Sequence, residues 1–292
     1  MSRADDLDVL LNAAVDDYDA GRLSGAHSEG SGLVVVGESG SGKTTEINQA
    51  LIRLKQTRAS LESGIETKFV QIALDGETTW KALGIQVLNE LGYEMSAKRT
   101  EHEIWARIRI QLQGQGIWLL HIDECQHMFQ TLGEKETRKV INALKTFMKH
   151  RQWPVVIILS GIPELLDKVN LDPQFRNLMS PVAMRPLNPL SDDLDELDTA
   201  FYQMAESIGA DIEDIRDEDT YRRMAYGHQN MYGRVFRFMV DVLATLPDGS
   251  NRVNRLHMAQ RYAAKTGCLP GQNVFERDDY EKCNVAQLMA ES

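Results

Sequence analysis

Two rhythms of apolar residues run along the chain. Short apolar runs occur at Leu33–Val36, Thr67–Leu74, Ile117–Ile122 and Pro154–Leu159. Runs of this length, rich in β-branched residues, read as strands buried on both faces of a parallel sheet. Between them, apolar residues recur at helical spacing. Leu7, Leu10, Leu11, Ala14 and Val15 mark a helix over 6–18, and the stretch from Glu46 to Leu54 marks a second. Trp80, Leu83, Val87, Leu88 and Leu91 predict a third, capped by Thr78 or Thr79 and stopped by Gly92. Ile104, Trp105, Ile108 and Leu112 predict a fourth, and Val140, Ile141, Leu144 and Phe147 a fifth over 137–148. A fifth strand is expected over Val182–Leu187.

From Leu190 the strand-like runs stop, and Leu194, Leu197, Phe201 and Met204 open a helical region that lasts to about Thr266. The organisation read from this is an N-terminal helix and connector over 1–30, an α/β core over 31–189, a helical lid over 190–266 and a polar tail over 267–292.

Composition adds limits. Hydrophobic residues make up 42% and charged residues 26%, an ordinary globular balance. The net charge of −11 excludes a surface that attracts nucleic acid everywhere, so DNA contact needs a local basic patch. Cys125, Cys268 and Cys283 form no metal or redox spacing, and reduced thiols fit a cytoplasmic compartment. No apolar run approaches ~20 residues, and the acidic N-terminus lacks a signal-peptide pattern, so no membrane association is expected.

The candidate chemistry starts at Gly37-Glu38-Ser39-Gly40-Ser41-Gly42-Lys43-Thr44, which fits the P-loop pattern between a strand and a helix. Its glycines let backbone N–H groups wrap a phosphate, and the next helix presents its positive end to the same anion. Lys43 is expected to reach the β- and γ-phosphates, and the Thr44 hydroxyl to ligate Mg²⁺. Some 80 residues later an apolar strand ends in Asp123-Glu124. Asp123 is the second candidate for the Mg²⁺ shell, and Glu124 for polarising water. Ser160, at the end of the following strand, is either a γ-phosphate or water-positioning group or a strand-end cap. Arg176 and Arg185 are candidates to reach a neighbouring subunit's nucleotide, or ordinary surface arginines. Lys98, Arg99 and Thr100 open a locally basic stretch, either a solvated face or a phosphate-contacting patch. His121 and His127 flank the two acids. A metal site with Asp123 is conceivable, and core or supporting histidines are the simpler reading.

Taken together, these motifs resemble AAA+ ATPases and, more narrowly, the TniB/TnsC family of transposition regulators. The segments carrying the resemblance are Gly37–Thr45 (GESGSGKTT), Ile122–His127 (IDECQH), Thr78–Gly92, Asn142–Lys145 with Pro154–Gly161, and Ala259–Phe275. The resemblance implies a five-stranded parallel sheet of order 5-1-4-3-2 with a helical lid. It also implies ATP and Mg²⁺ as cofactors and a homo-oligomeric ring or helical filament on double-stranded DNA. In such proteins the assembly recruits a transposase and a targeting adaptor, and hydrolysis dismantles it. Residue by residue, it puts Gly37, Glu38, Ser39, Gly40, Ser41, Gly42, Lys43, Thr44 and Thr45 around the nucleotide. It puts Glu124 at hydrolysis, Ser160 at the first sensor position and Arg234, after Gly233, at the second. The family's Arg-Phe pair is missing. Leu178-Met179 stands in its place, which leaves Arg176 as the trans-acting candidate and Arg185 as the second. Competing readings are a replication helicase loader and a nucleotide-dependent signalling or defence switch that does not bind DNA.

Overall fold

Strands at the centre of a parallel sheet are covered on both faces, and three segments are buried throughout. In a computed structural model of the chain, which describes residues 3–24, 30–59, 67–130, 132–246 and 250–287, these are β1 (Gly32–Val36), β3 (Leu119–Asp123) and β4 (Val156–Gly161), buried at every position. They form the centre of a parallel sheet flanked by β2 (Phe69–Ala73) and β5 (Met179–Ala183), in the order β2-β3-β4-β1-β5. This is the order expected from the sequence. All pairings are parallel, so Val36, Ala73, Asp123, Gly161 and Ala183 finish along one edge.

Successive side chains leave a strand on opposite faces, and the two faces have separate cores. Leu33, Val35, Leu119, Val156 and Ile158 pack with α1 (Arg3–Ser24) and α2 (Lys43–Ala59), through Leu7, Leu11, Val15, Ile47 and Leu51. Tyr18 stacks on Trp118 at 4.8 Å, and a salt bridge of 2.6 Å ties Arg58 to Asp19. The N-terminal helix is therefore part of the core layer. It is also longer than its apolar spacing predicts, reaching Ser24. The opposite face, with Val34, Val36, Ile122, Ile157 and Leu159, packs against α3 (Trp80–Glu90), α4 (Glu101–Gln115) and α6 (Glu134–Met148). Thr79 caps α3 by accepting from the Ala82 N–H at 3.1 Å, while the Thr78 hydroxyl donates to the Gly76 carbonyl. Short helices α5 (Gln126–Phe129), α7 (Leu165–Asn170) and α8 (Pro173–Leu178) complete this unit.

The fifth strand corrects the sequence expectation. It spans Met179–Ala183, not Val182–Leu187. Pairing with β1 sets its place, because α8 ends at Leu178 and delivers Met179 opposite Gly32. Pro181 is tolerated because β5 is an edge strand. Leu187 instead packs in the helical core, where its N–H donates to the Asn230 carbonyl at 2.7 Å.

The chain divides into two compact units, Met1–Ser39 with Lys43–Met184, and Gly40–Gly42 with Arg185–Ser292. The second contains α9 (Asp193–Ser207), α10 (Glu218–Gly227), α11 (Tyr232–Ala244) and α12 (Arg255–Thr266). The expected tail over 267–292 is the larger correction. As far as residue 287, where description ends, it is packed structure. Val274, Phe275, Tyr280 and Cys283 belong to the helical core. Phe275 stacks on Phe238 at 5.6 Å, and buried Arg223 donates to the Val274 carbonyl at 2.6 Å. Its polar average hid four apolar anchors. Phe275→Ala is expected to cost the helical unit about 3–5 kcal/mol. Denaturant unfolding followed by Trp and Tyr signals checks this, and a loss below ~1 kcal/mol would separate the segment from the core. No helix among the described residues is long and apolar enough to cross a membrane.

Candidate active site

The edge where the strands finish gathers the chemistry. Gly37 continues the β1 ladder, its N–H donating to the Gly161 carbonyl at 3.2 Å. The loop then turns through Gly40 (φ 85°) and Gly42 (φ 96°), a backbone region that side chains rarely adopt. Glu38, Ser39 and Ser41 fill its other positions, and α2 starts at Lys43 with Thr44 and Thr45 in its first turn. The Lys43 Nζ donates to the Gly37 carbonyl at 2.7 Å and the Glu38 carbonyl at 3.2 Å. Burial lowers the pKa of this ammonium, and the nearby Glu124 and Asp123 carboxylates oppose that shift.

Asp123 joins the loop to the sheet. Its Oδ2 accepts from the Thr44 hydroxyl at 2.6 Å, and its Oδ1 accepts from the Ser160 hydroxyl at 2.5 Å and the Glu124 N–H at 2.9 Å. Burial on its own would raise the carboxyl pKa. The Ser160 and Thr44 donors outweigh it, and the group is held below the usual carboxylate range. A hydroxyl and a carboxylate oxygen so close form a hard donor pair of the kind Mg²⁺ takes. Thr44 and Asp123 would hold a Mg²⁺ ion brought with ATP, and Lys43 and the start of α2 would meet the phosphates.

Glu124 follows in the left-handed region, φ 56°, uncommon outside glycine and concentrated at functional sites. Its carbonyl accepts from the His127 N–H at 3.0 Å, and Cys125 donates its N–H to the Ser160 carbonyl at 2.9 Å. These bonds fix the bend that leads from strand to α5. The Glu124 carboxylate accepts a hydrogen bond from the buried Gln126 amide, whose oxygen in turn accepts from the Ile162 N–H at 3.3 Å. Gln126 thus orients the carboxylate proposed to act on water, a role the sequence reading did not assign. Its signals in the sequence were its place two residues after the acid and its membership of the IDECQH segment.

His121 is buried, and burial lowers its pKa to about 4 against the raising pull of Asp123. Its two ring nitrogens face Ser160 Oγ at 2.7 Å and Gln71 Nε2 at 3.0 Å. Both nitrogens are used, so His121 does not serve a metal site with His127. Among the described residues no trio of His, Cys, Asp or Glu gathers for one.

Arg176 is exposed on α8, and Arg185 is exposed at the start of the helical unit. Arg234 lies in the first turn of α11, its guanidinium donating to Gln229. Lys98, Arg99 and Thr100 form the turn before α4. Lys98 is exposed, Arg99 pairs with Glu103 at 3.2 Å, and Thr100 and Glu103 make a capping box for the helix. Thr100 therefore has a structural duty of its own.

Residues 26–169 match the family model described as an AAA domain. This part of the chain is similar to an AAA domain. The P-loop and the acid pair lie within the matched residues. No curated protein matches the chain in sequence. Among solved structures, the chain is similar to the ORC2 protein of Aeropyrum pernix in its ADPNP–ADP complexes, with 14% identity and a TM-score of 0.61, covering 86% of this chain and 66% of that one. It is similar to Drosophila ORC bound to DNA (17% identity, TM-score 0.56, covering 90% and 60%). It is also similar to a Thermotoga maritima RuvB mutant (15%, 0.51, covering 94% and 70%). At these identities the likeness is one of fold. The chain spans less than two thirds of the length of both ORC proteins.

Proposed function

We propose that this protein is a Mg²⁺-dependent ATPase whose nucleotide state controls its assembly on double-stranded DNA. The observation that carries the hydrolytic part is the contact of Thr44 with Asp123 at 2.6 Å, beside a Glu124 carboxylate oriented by Gln126. Lys43 and the backbone N–H groups at the start of α2 bind the β- and γ-phosphates. Thr44 and Asp123 hold Mg²⁺, which when bound with ATP neutralises charge building on the transferred phosphoryl group. Glu124 orients the attacking water and accepts its proton. Arg234 is read as the second sensor of the nucleotide, and Arg176 as the residue reaching a neighbouring copy's site.

The DNA-coupled reading draws support from the fold shared with an ORC assembly whose structure is described as bound to DNA. The finer reading, a regulator of transposition that recruits a transposase and an adaptor, draws support from the IDECQH segment and the other sequence matches. An acidic monomer binds DNA weakly, so assembly must align a few cations per copy, Lys98 and Arg99 among the candidates, and binding must weaken with salt. ATP turnover measured with and without random duplex tests this. Stimulation several-fold above basal turnover, with sedimenting assemblies only when ATP and duplex are both present, is expected. Turnover indifferent to DNA would favour the signalling switch. Capture of a replicative helicase in place of a transposase tail would favour the loader.

A further inference from the structure

A continuous hydrogen-bonded line crosses the sheet face covered by α2 and ends at the Mg²⁺-binding acid. It runs from Asn48 on α2 to Gln71 on β2, His121 on β3, Ser160 on β4 and Asp123 on β3. Gln71, His121 and Asp123 share this face because side chains alternate along a strand, and the register places Gln71 beside His121. The Gln71 amide nitrogen donates to Asn48 Oδ1 at 2.7 Å and to His121 Nδ1 at 3.0 Å. Nδ1 facing an N–H group must be the unprotonated nitrogen, which leaves the ring proton on Nε2. Nε2–H then donates to Ser160 Oγ at 2.7 Å. A serine hydroxyl has one proton. With the imidazole donating to it, that proton has one destination, Asp123 Oδ1 at 2.5 Å.

We infer that His121 is a positioning residue for ATP hydrolysis, fixing through Ser160 the orientation of the Asp123 carboxylate, with Gln71 setting the tautomer that makes this possible. The reverse tautomer would set two N–H groups against each other at Gln71. It would also draw the Ser160 proton back to His121, stripping Asp123 of one donor. The line gives Ser160 a different duty from sensing the γ-phosphate. Its single proton is committed to Asp123, and its side chain is fully buried. One aligned hydrogen bond in such a chain corresponds to a change of about three- to tenfold. A buried histidine at this position is otherwise an ordinary core group, so the test must separate support of the carboxylate from support of the fold.

This inference rests on the ATPase reading, and two kinds of measurement keep the failures apart. Long-range ¹H–¹⁵N correlation on the histidine rings of the full chain, without nucleotide, is expected to give His121 as the Nε2–H tautomer. An Nδ1–H ring would overturn the inference whether or not the protein hydrolyses ATP. In the second, His121→Leu is expected to lower kcat about three- to tenfold and to raise the Mg²⁺ concentration needed for half-maximal turnover, with the KM for ATP little changed. His121→Gln keeps a side-chain N–H at the position of Nε2 and is expected to restore most of the loss. If both variants lose stability equally while kcat and the Mg²⁺ requirement of the folded fraction stay at the parent values, His121 is only a core residue. Should His121→Leu fail to fold, His121→Gln and Gln71→Leu carry the same comparison. An unchanged Mg²⁺ requirement in Gln71→Leu would then reject the tautomer-setting role. A parent protein without turnover would defeat the ATPase reading and leave the ring tautomer to decide the geometry.

Discussion

Lys43→Ala is expected to weaken binding of ATP and ADP by ~30-fold to ~5,000-fold. Removing one partner of a buried charge contact costs about 2–5 kcal/mol, and each 1.36 kcal/mol is tenfold. The side chain is 5% exposed, and no other cation begins α2. An ammonium has three donors. Two of them already hold the Gly37 and Glu38 carbonyls, so Lys43 both shapes the loop and offers its remaining N–H to phosphate. Alanine removes both contributions. Isothermal titration gives the affinity directly. Thermal unfolding gives an independent reading, since a ligand at 100 times its Kd stabilises the folded state by about 2.7 kcal/mol. The parent should show that shift in Tm with Mg²⁺–ATP and the variant should show none at the same concentration. Parent-like affinity in Lys43→Ala would remove the P-loop from the account altogether.

The parts of this molecule legible in its sequence share a physical property: they are local. β1, β3 and β4 are buried on both faces, so burial alone demands apolar runs, and those runs stand out. Lys43 and Thr44 belong to a loop whose chemistry is complete within eight residues. Asp123 ends a strand and Glu124 follows it, where ligands of parallel sheets sit. What escaped reading depends on partners distant in the chain. β5 was misplaced because its position comes from the edge of β1, more than 140 residues earlier, and Met179-Ser180-Pro181 has no strand character of its own. The segment after α12 looked like a tail because its anchors, Val274, Phe275, Tyr280 and Cys283, are spaced without a period. Only contacts such as Phe238 with Phe275 reveal them. In the site, the Gln71–His121 bond spans 50 residues and the Ser160–Asp123 bond 37. No pattern along the chain encodes such pairs. Gln126 lies close in sequence to Glu124. Its role nonetheless depends on the left-handed turn at Glu124, which no local propensity for glutamate predicts.

Glu124→Gln carries the other large effect, and it should separate binding from chemistry. The substitution keeps size and most hydrogen bonding and removes the carboxylate proposed to take a proton from water. General-base catalysis typically contributes 10²–10⁴-fold, so kcat is expected to fall by roughly a hundredfold or more. Lys43, Thr44 and Asp123 are untouched, and the affinity for Mg²⁺–ATP should stay within about threefold of the parent. The backbone argues for a clean result. The bend at Glu124 is held by main-chain bonds from His127 and to Asp123, and by the Cys125 N–H on Ser160, none of which involves the Glu124 side chain. Gln126 still finds an amide oxygen to bond, so the local structure has little reason to change. On the DNA-coupled reading, this variant should also hold assemblies on duplex long after the parent has released, because the nucleotide persists as ATP. Single-turnover kinetics and dissociation from duplex, measured on the same preparation, give the two answers together. A variant that turns over ATP at the parent rate would rule Glu124 out as the water-orienting group. One that hydrolyses slowly yet leaves DNA as fast as the parent would uncouple hydrolysis from release and strip the nucleotide of its proposed timing role.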